Sequence, residues 1–114
     1  MDNSELFERL KEIALSNPQG FTVRVPDLIP IKKGWSVALK ETQDSFGDEG
    51  LRKVIEVALK TTMIVGGWNE KDGFWWDAVR VFEVHQEEEA TEFGIQNEQL
   101  AIYAIHLGKV KWLQ

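Results

Sequence analysis

Between Ser4 and Asn17 the apolar residues Leu6, Phe7, Leu10, Ile13 and Ala14 recur at the three-and-four spacing of an amphipathic helix. Asp2 to Ser4 offer capping oxygens before it, and Asn17-Pro18-Gln19-Gly20 is a stop signal. A second helix is predicted over Asp48 to Lys60, where Leu51, Val54, Ile55, Ala58 and Leu59 form one stripe and Glu49, Arg52, Lys53, Glu56 and Lys60 lie opposite. Gln86 to Gln96 reads as a third, shorter helix. Glu87, Glu88 and Glu89 sit in its first turn, where they complement the helix dipole, and Ala90 and Phe93 face inward.

Between these segments the period changes to two. Phe21 to Val25 alternates as a half-buried strand before Pro26 and Pro30 remove amide donors, and Trp35, Val37 and Leu39 share one face of a strand that follows Gly34. Met63 to Trp68 and Phe74 to Val84 are β-branched and aromatic, and Asn69-Glu70-Lys71-Asp72-Gly73 has the composition of a five-residue hairpin loop. Paired Gly66-Gly67 inside the first of these strands predicts a bulge. Leu100 to Leu107 suits a buried strand turning at Gly108-Lys109 into Val110 to Leu113, with a helix capped by Asn97 as the alternative.

The predicted order is αββ-αββ-αββ: an α+β fold, one domain over residues 1–114, with a mainly antiparallel sheet and three helices crossing the same face. The three units do not match one another residue by residue, so the regularity is topology rather than duplication.

Composition narrows the chemistry. The chain has 114 residues, a formal charge of −6 and no cysteine, which excludes disulfides, thiolate zinc sites and cysteine nucleophiles. The acidic balance argues against direct nucleic-acid binding. No apolar run approaches the length of a membrane span, and the acidic start Met1-Asp2-Asn3-Ser4-Glu5 does not read as a secretory signal, so a cytoplasmic protein with no membrane association is expected.

No motif assigns a catalytic residue, a cofactor or a metal. Gly66-Gly67 belongs to no phosphate loop, Asn69, Glu70 and Asp72 lack the calcium-loop pattern, and His85 and His106 have no metal-ligand spacing. Neither Ser36 nor Ser45 lies in a nucleophile elbow.

The aromatic residues are more informative. Five tryptophans occur, and Trp68, Trp75 and Trp76 lie on one hairpin. Adjacent strand residues point to opposite faces, so Trp75 and Trp76 cannot both enter a core on one side. Either a helix, a loop or cross-strand neighbours such as Trp68 cover the second indole, or it is exposed for a partner. The candidate partner or ligand surface is therefore Trp68, Phe74, Trp75, Trp76 and Asp77, serving a protein partner or a second copy of the chain. An aromatic ligand pocket around Trp68, Trp76 and Asp77 is the alternative. Asp77, in an apolar strand, is expected to pair with Arg80 or Arg24 or to cap a backbone amide. A third reading makes the acidic cluster Glu83, Glu87, Glu88, Glu89 and Glu92 a decoy for a nucleic-acid-binding protein, which requires a coherent stripe of charge.

Val65-Gly66-Gly67-Trp68, Asp77, Val81-Phe82, Glu89-Ala90 and Asn97-Glu98-Gln99-Leu100-Ala101-Ile102-Tyr103 together resemble a pattern in small uncharacterised bacterial and mobile-element α+β proteins. The resemblance covers about a third of the chain. It implies a frame of Gly-Gly-Trp turn, aspartate-bearing strand, helix with a central alanine, and Asn-x-Gln-x-Ala-Ile-Tyr strand. It implies no activity, and Ala104 stands where the pattern usually has an acidic residue.

Overall fold

A computed structural model describes residues 1–70 and 72–113. The elements run α1 (Asn3–Ser16), β1 (Phe21–Arg24), β2 (Trp35–Ala38), a short 3-10 turn (Lys40–Thr42), β3 (Ser45–Phe46), α2 (Gly47–Lys60), β4 (Ile64–Glu70), β5 (Gly73–Phe82), α3 (Glu87–Gln96), β6 (Ala101–Ala104) and β7 (Lys109–Trp112). The fold is α+β: three helices and an antiparallel seven-stranded sheet in the order β1-β4-β5-β2-β6-β7, with β3 also paired to β5. Residues 101–104 are strand rather than helix. Asn97 closes α3 from behind, and its side-chain oxygen accepts the Lys40 backbone N–H at 3.0 Å.

The helices form where the apolar stripes predict. Asp2 caps α1 by accepting the Glu5 N–H at 2.9 Å. Leu6, Leu10 and Ala14 of α1 and Leu51, Val54, Ile55 and Ala58 of α2 are buried against Val23, Val65, Trp76 and Ala78 of the sheet. Burial of each large aliphatic side chain here stabilises the fold by about 1.5–3 kcal/mol. A second cluster, Trp35, Val37, Phe82, Ile102 and Ala104, lies under Ala90 of α3, and Phe93 packs against both clusters. Directly opposed residues of an antiparallel ladder share a face. The pairs Val65↔Ala78, Val37↔Arg80 and Trp35↔Phe82 therefore place all three helices over one side, the side of Trp76, Ala78 and Phe82.

Three expectations need correction. β1 and β2 are not a hairpin, since β4 and β5 lie between them. Their connection, residues 25–34, is too long and too poor in donors at Pro26 and Pro30 for a tight turn, and it folds back along the outer edge of β1. There Pro30 bridges Val23, the Ile31 N–H donates to the Thr22 carbonyl, and the Arg24 N–H donates to the Ile29 carbonyl. The β4–β5 loop is also shorter than predicted, because the ladder continues through Asn69↔Phe74 and Glu70↔Gly73. Gly73 makes this tight reversal with φ +148°.

Gly66-Gly67 forms no bulge either. Val65, Gly66, Gly67 and Trp68 pair in unbroken register with Ala78, Asp77, Trp76 and Trp75. Gly67 lets the Phe21 ring lie against the strand, with Cε1 3.0 Å from where a β-carbon would stand, so a larger residue would require the ring to shift. Where β2 leaves β5 and β3 joins it, the buried Thr42 hydroxyl accepts the Ala78 N–H at 3.1 Å and fills the gap in the ladder.

Candidate functional site

The side of the sheet away from the helices carries Trp68, Trp75, Asp77, Val79 and Val81, and the register extends it through Ser36 and Tyr103 to Val110. Trp112, two residues beyond Val110, shares that side. Its middle is closed: Val79 is only 4% exposed, and Gly34, at the end of the β1–β2 connection, lies against Val81. Two aromatic patches remain, one at each end of this open face.

The first is at the β4–β5 hairpin. Trp68 stands directly opposite Trp75. Phe46, opposite Trp75 on its other side, brings its ring within 4.9 Å of the Trp75 ring. Trp68 is 38% exposed and Phe46 39%, whereas Trp75 is half-buried between its neighbours. The Trp68 indole N–H donates to Glu70 Oε1 at 3.4 Å. A groove between Phe46 and Trp75 is bordered by Glu70 and Asp72.

The predicted surface is thereby split. Trp76 is 3% exposed on the helix side, edge-on to Phe21 at 5.8 Å, and Phe74 lies beside it at 5.1 Å. Neither belongs to the patch. Trp68 and Asp77 open to the other side of the sheet from Trp76, so these three residues do not line one pocket. Phe46 and Glu70, which do belong, were not singled out from the sequence. Phe46 sits in a two-residue strand with no periodicity to read, and Glu70 reads as loop.

Asp77 makes none of the expected pairings. Arg24 is held by Asp27 at 2.6 Å, and Arg80 is on the helix side, stacked 4.6 Å from the Phe82 ring and 5.1 Å from Phe93. Opposite Asp77 is Gly66, which has no side chain to meet it. Burial in this setting pushes the Asp77 carboxyl up to about 7. Among the described residues no hydrogen bond or ion pair to it is found, and the site offers no convergent acid, base or nucleophile beside it.

The second patch comprises Tyr103, Val110 and Trp112 of β6 and β7, with Trp112 69% exposed. The sequence reading left Trp112 out, although Val110-Lys111-Trp112 alternates and so predicts a shared face for residues 110 and 112. On the helix side of this hairpin, Lys111 pairs with Glu87 at 2.7 Å and bonds the Thr91 hydroxyl.

The acidic cluster is not a uniform stripe. Glu87 is neutralised by Lys111, and Glu83 faces His85 at 3.6 Å. His106 directs Nδ1 to the Gly34 carbonyl at 3.3 Å and meets Trp35 edge-on. Among the described residues no group of three metal-ligating side chains occurs, and no helix is long and apolar enough to cross a membrane. No family model, curated protein or solved structure matches the chain.

Proposed function

We propose that the protein is a non-enzymatic interaction or accessory protein, acting in the cytoplasm, that meets a protein partner through the helix-free face of its sheet. The observation that carries this reading is the Phe46–Trp75 ring contact with Trp68 opposite Trp75 in the ladder, all partly exposed on the side of the sheet away from the helices. Aromatic side chains supply large contact area with few rotamers to freeze, and they concentrate in binding hot spots. Self-association is the second form of this reading. It is favoured by β7, an edge strand with Val110 and Trp112 exposed.

Two measurements test it together. Light scattering from micromolar to millimolar protein reads self-association, repeated with a Trp112→Ser variant, and selection from a displayed peptide library reads partner binding, repeated with a Phe46→Ser/Trp68→Ser double variant, both variants retaining the wild-type circular dichroism. The expected result is association that the Trp112 variant loses, or peptide capture that the double variant loses. A protein that stays monomeric throughout, and that captures peptides no better than the double variant, removes the reading.

A further inference from the structure

The groove at the end of the β4–β5 hairpin has both an apolar floor and a charge sign. Glu70 is directly opposite Gly73 in the ladder, so its side chain leaves the sheet on the same side as Trp75. Gly73 has no side chain there, and the Phe46 ring fills the space: Phe46 Cζ is 2.9 Å from where a β-carbon would stand. Phe46 and Trp75, inclined at 55°, thus present ring surface beside the Glu70 carboxylate, with Asp72 at the turn. The Trp68 indole holds Glu70 Oε1, which leaves the second oxygen available to another donor.

Ring faces attract cations through their quadrupole, and two carboxylates add to that attraction. Neither Glu70 nor Asp72 forms an ion pair with another described residue. The formal charge of −6 draws a basic partner from further away. A flat guanidinium suits this groove better than an ammonium, because it can lie on a ring while its edge N–H groups reach a carboxylate.

We infer that the groove of Phe46, Trp75, Glu70 and Asp72 receives the arginine side chain of a basic peptide segment. This rests on the interaction reading above and specifies the chemistry of its partner.

The test follows the five tryptophan indole N–H signals of the ¹⁵N-labelled chain by NMR, with Trp68→Phe and Trp75→Phe variants for assignment. The probe is a short glycine-flanked peptide bearing two arginines, compared with its lysine and citrulline counterparts. The arginine peptide is expected to shift the Trp68 and Trp75 signals and leave those of the buried Trp35 and Trp76 in place. Lysine weakens binding severalfold, and neutral citrulline abolishes it. Glu70→Gln lowers affinity about tenfold, the size of one charge-assisted hydrogen bond. Glu88→Gln, the same charge change on α3, leaves affinity unaltered.

Equal binding of citrulline, equal loss from Glu88→Gln, or an arginine peptide that leaves both indoles unshifted overturns the inference. Library peptides that need Phe46 and Trp68 but contain no arginine, together with failure of the arginine probe, remove this inference and keep the interaction reading. Both fall when peptide capture is independent of Phe46 and Trp68 and no self-association depends on Trp112.

Discussion

The β4–β5 and β6–β7 hairpins both carry aromatic residues, yet they use them differently. β4–β5 is interior to the sheet, with β1 on one side and β2 and β3 on the other. Its inward rings, Trp76 and Phe74, join Phe21 beneath the helices, and of its outward rings Trp75 leans on Phe46 while Trp68 reaches Glu70. β6–β7 lies at the edge and buries only Ile102 and Ala104 beneath α3, while Tyr103, Val110 and Trp112 face outward. Aromatic content alone therefore does not locate a contact surface. Strand parity decides which side a ring takes, and position in the sheet decides how many neighbours it finds there.

The largest effect that would break this contrast is on stability. Trp76→Ala should cost about 3–5 kcal/mol, because the indole is enclosed and its site cannot refill. Chemical denaturation checks this, and a loss within about 0.5 kcal/mol, typical of surface positions, would mean that the inner ring is not part of the core.

Asp77, on the outer side of the same strand, gives the next effect. An aspartate in the unfolded chain ionises near 3.8, whereas this one ionises at about 7. Across that window the unfolded chain releases a proton that the fold retains, so stability is full below the lower value and falls as pH rises towards the upper one. Asp77→Asn removes that penalty. The variant should be more stable than the wild type by about 1–3 kcal/mol at pH 8 and closely similar at pH 4. Thermal melts at the two pH values read the difference, and a gain that is equal at both would show that the charge is not responsible.

The smallest effect belongs to the edge hairpin. Trp112→Ala should change the stability of the monomer by no more than about 0.5 kcal/mol. Amides of β7, paired on one side only, should exchange with deuterium faster than those of Ile64 to Gly67 in β4, which are paired on both sides. Equal protection in the two hairpins would erase the distinction between them.

The helices and the β4–β5 hairpin are legible from local pattern, whereas the short apolar run of residues 100–107 leaves strand and helix open until the ladder with Trp35 and Ser36 decides. The stripe of Leu51, Val54, Ile55 and Ala58 and the β-branched and aromatic run from Phe74 to Val84 are local facts. The placement of β1 was not local. Nothing between Phe21 and Gly34 says that two later strands will occupy the space beside it, since the ladder forms only when Val23 meets Val65. The opposed directions of Trp75 and Trp76 followed from parity, but which of them entered the core depended on the helices. Phe46 was missed because two residues of strand have no period to detect, and its worth lies in a partner 29 positions away, Trp75. Asp77 was expected to find an arginine; the ladder instead gave it a glycine.

The proline-bearing segment along β1 has one more consequence. It covers the outer edge of β1, whereas among the described residues β7 presents an edge open to another strand. Two copies joined there about a two-fold axis would turn their finished borders outward, and growth would stop at a pair. Lys109 and Lys111, alternating along that border, would stand against their own copies across such a pair, a repulsion that the Lys111–Glu87 ion pair partly offsets.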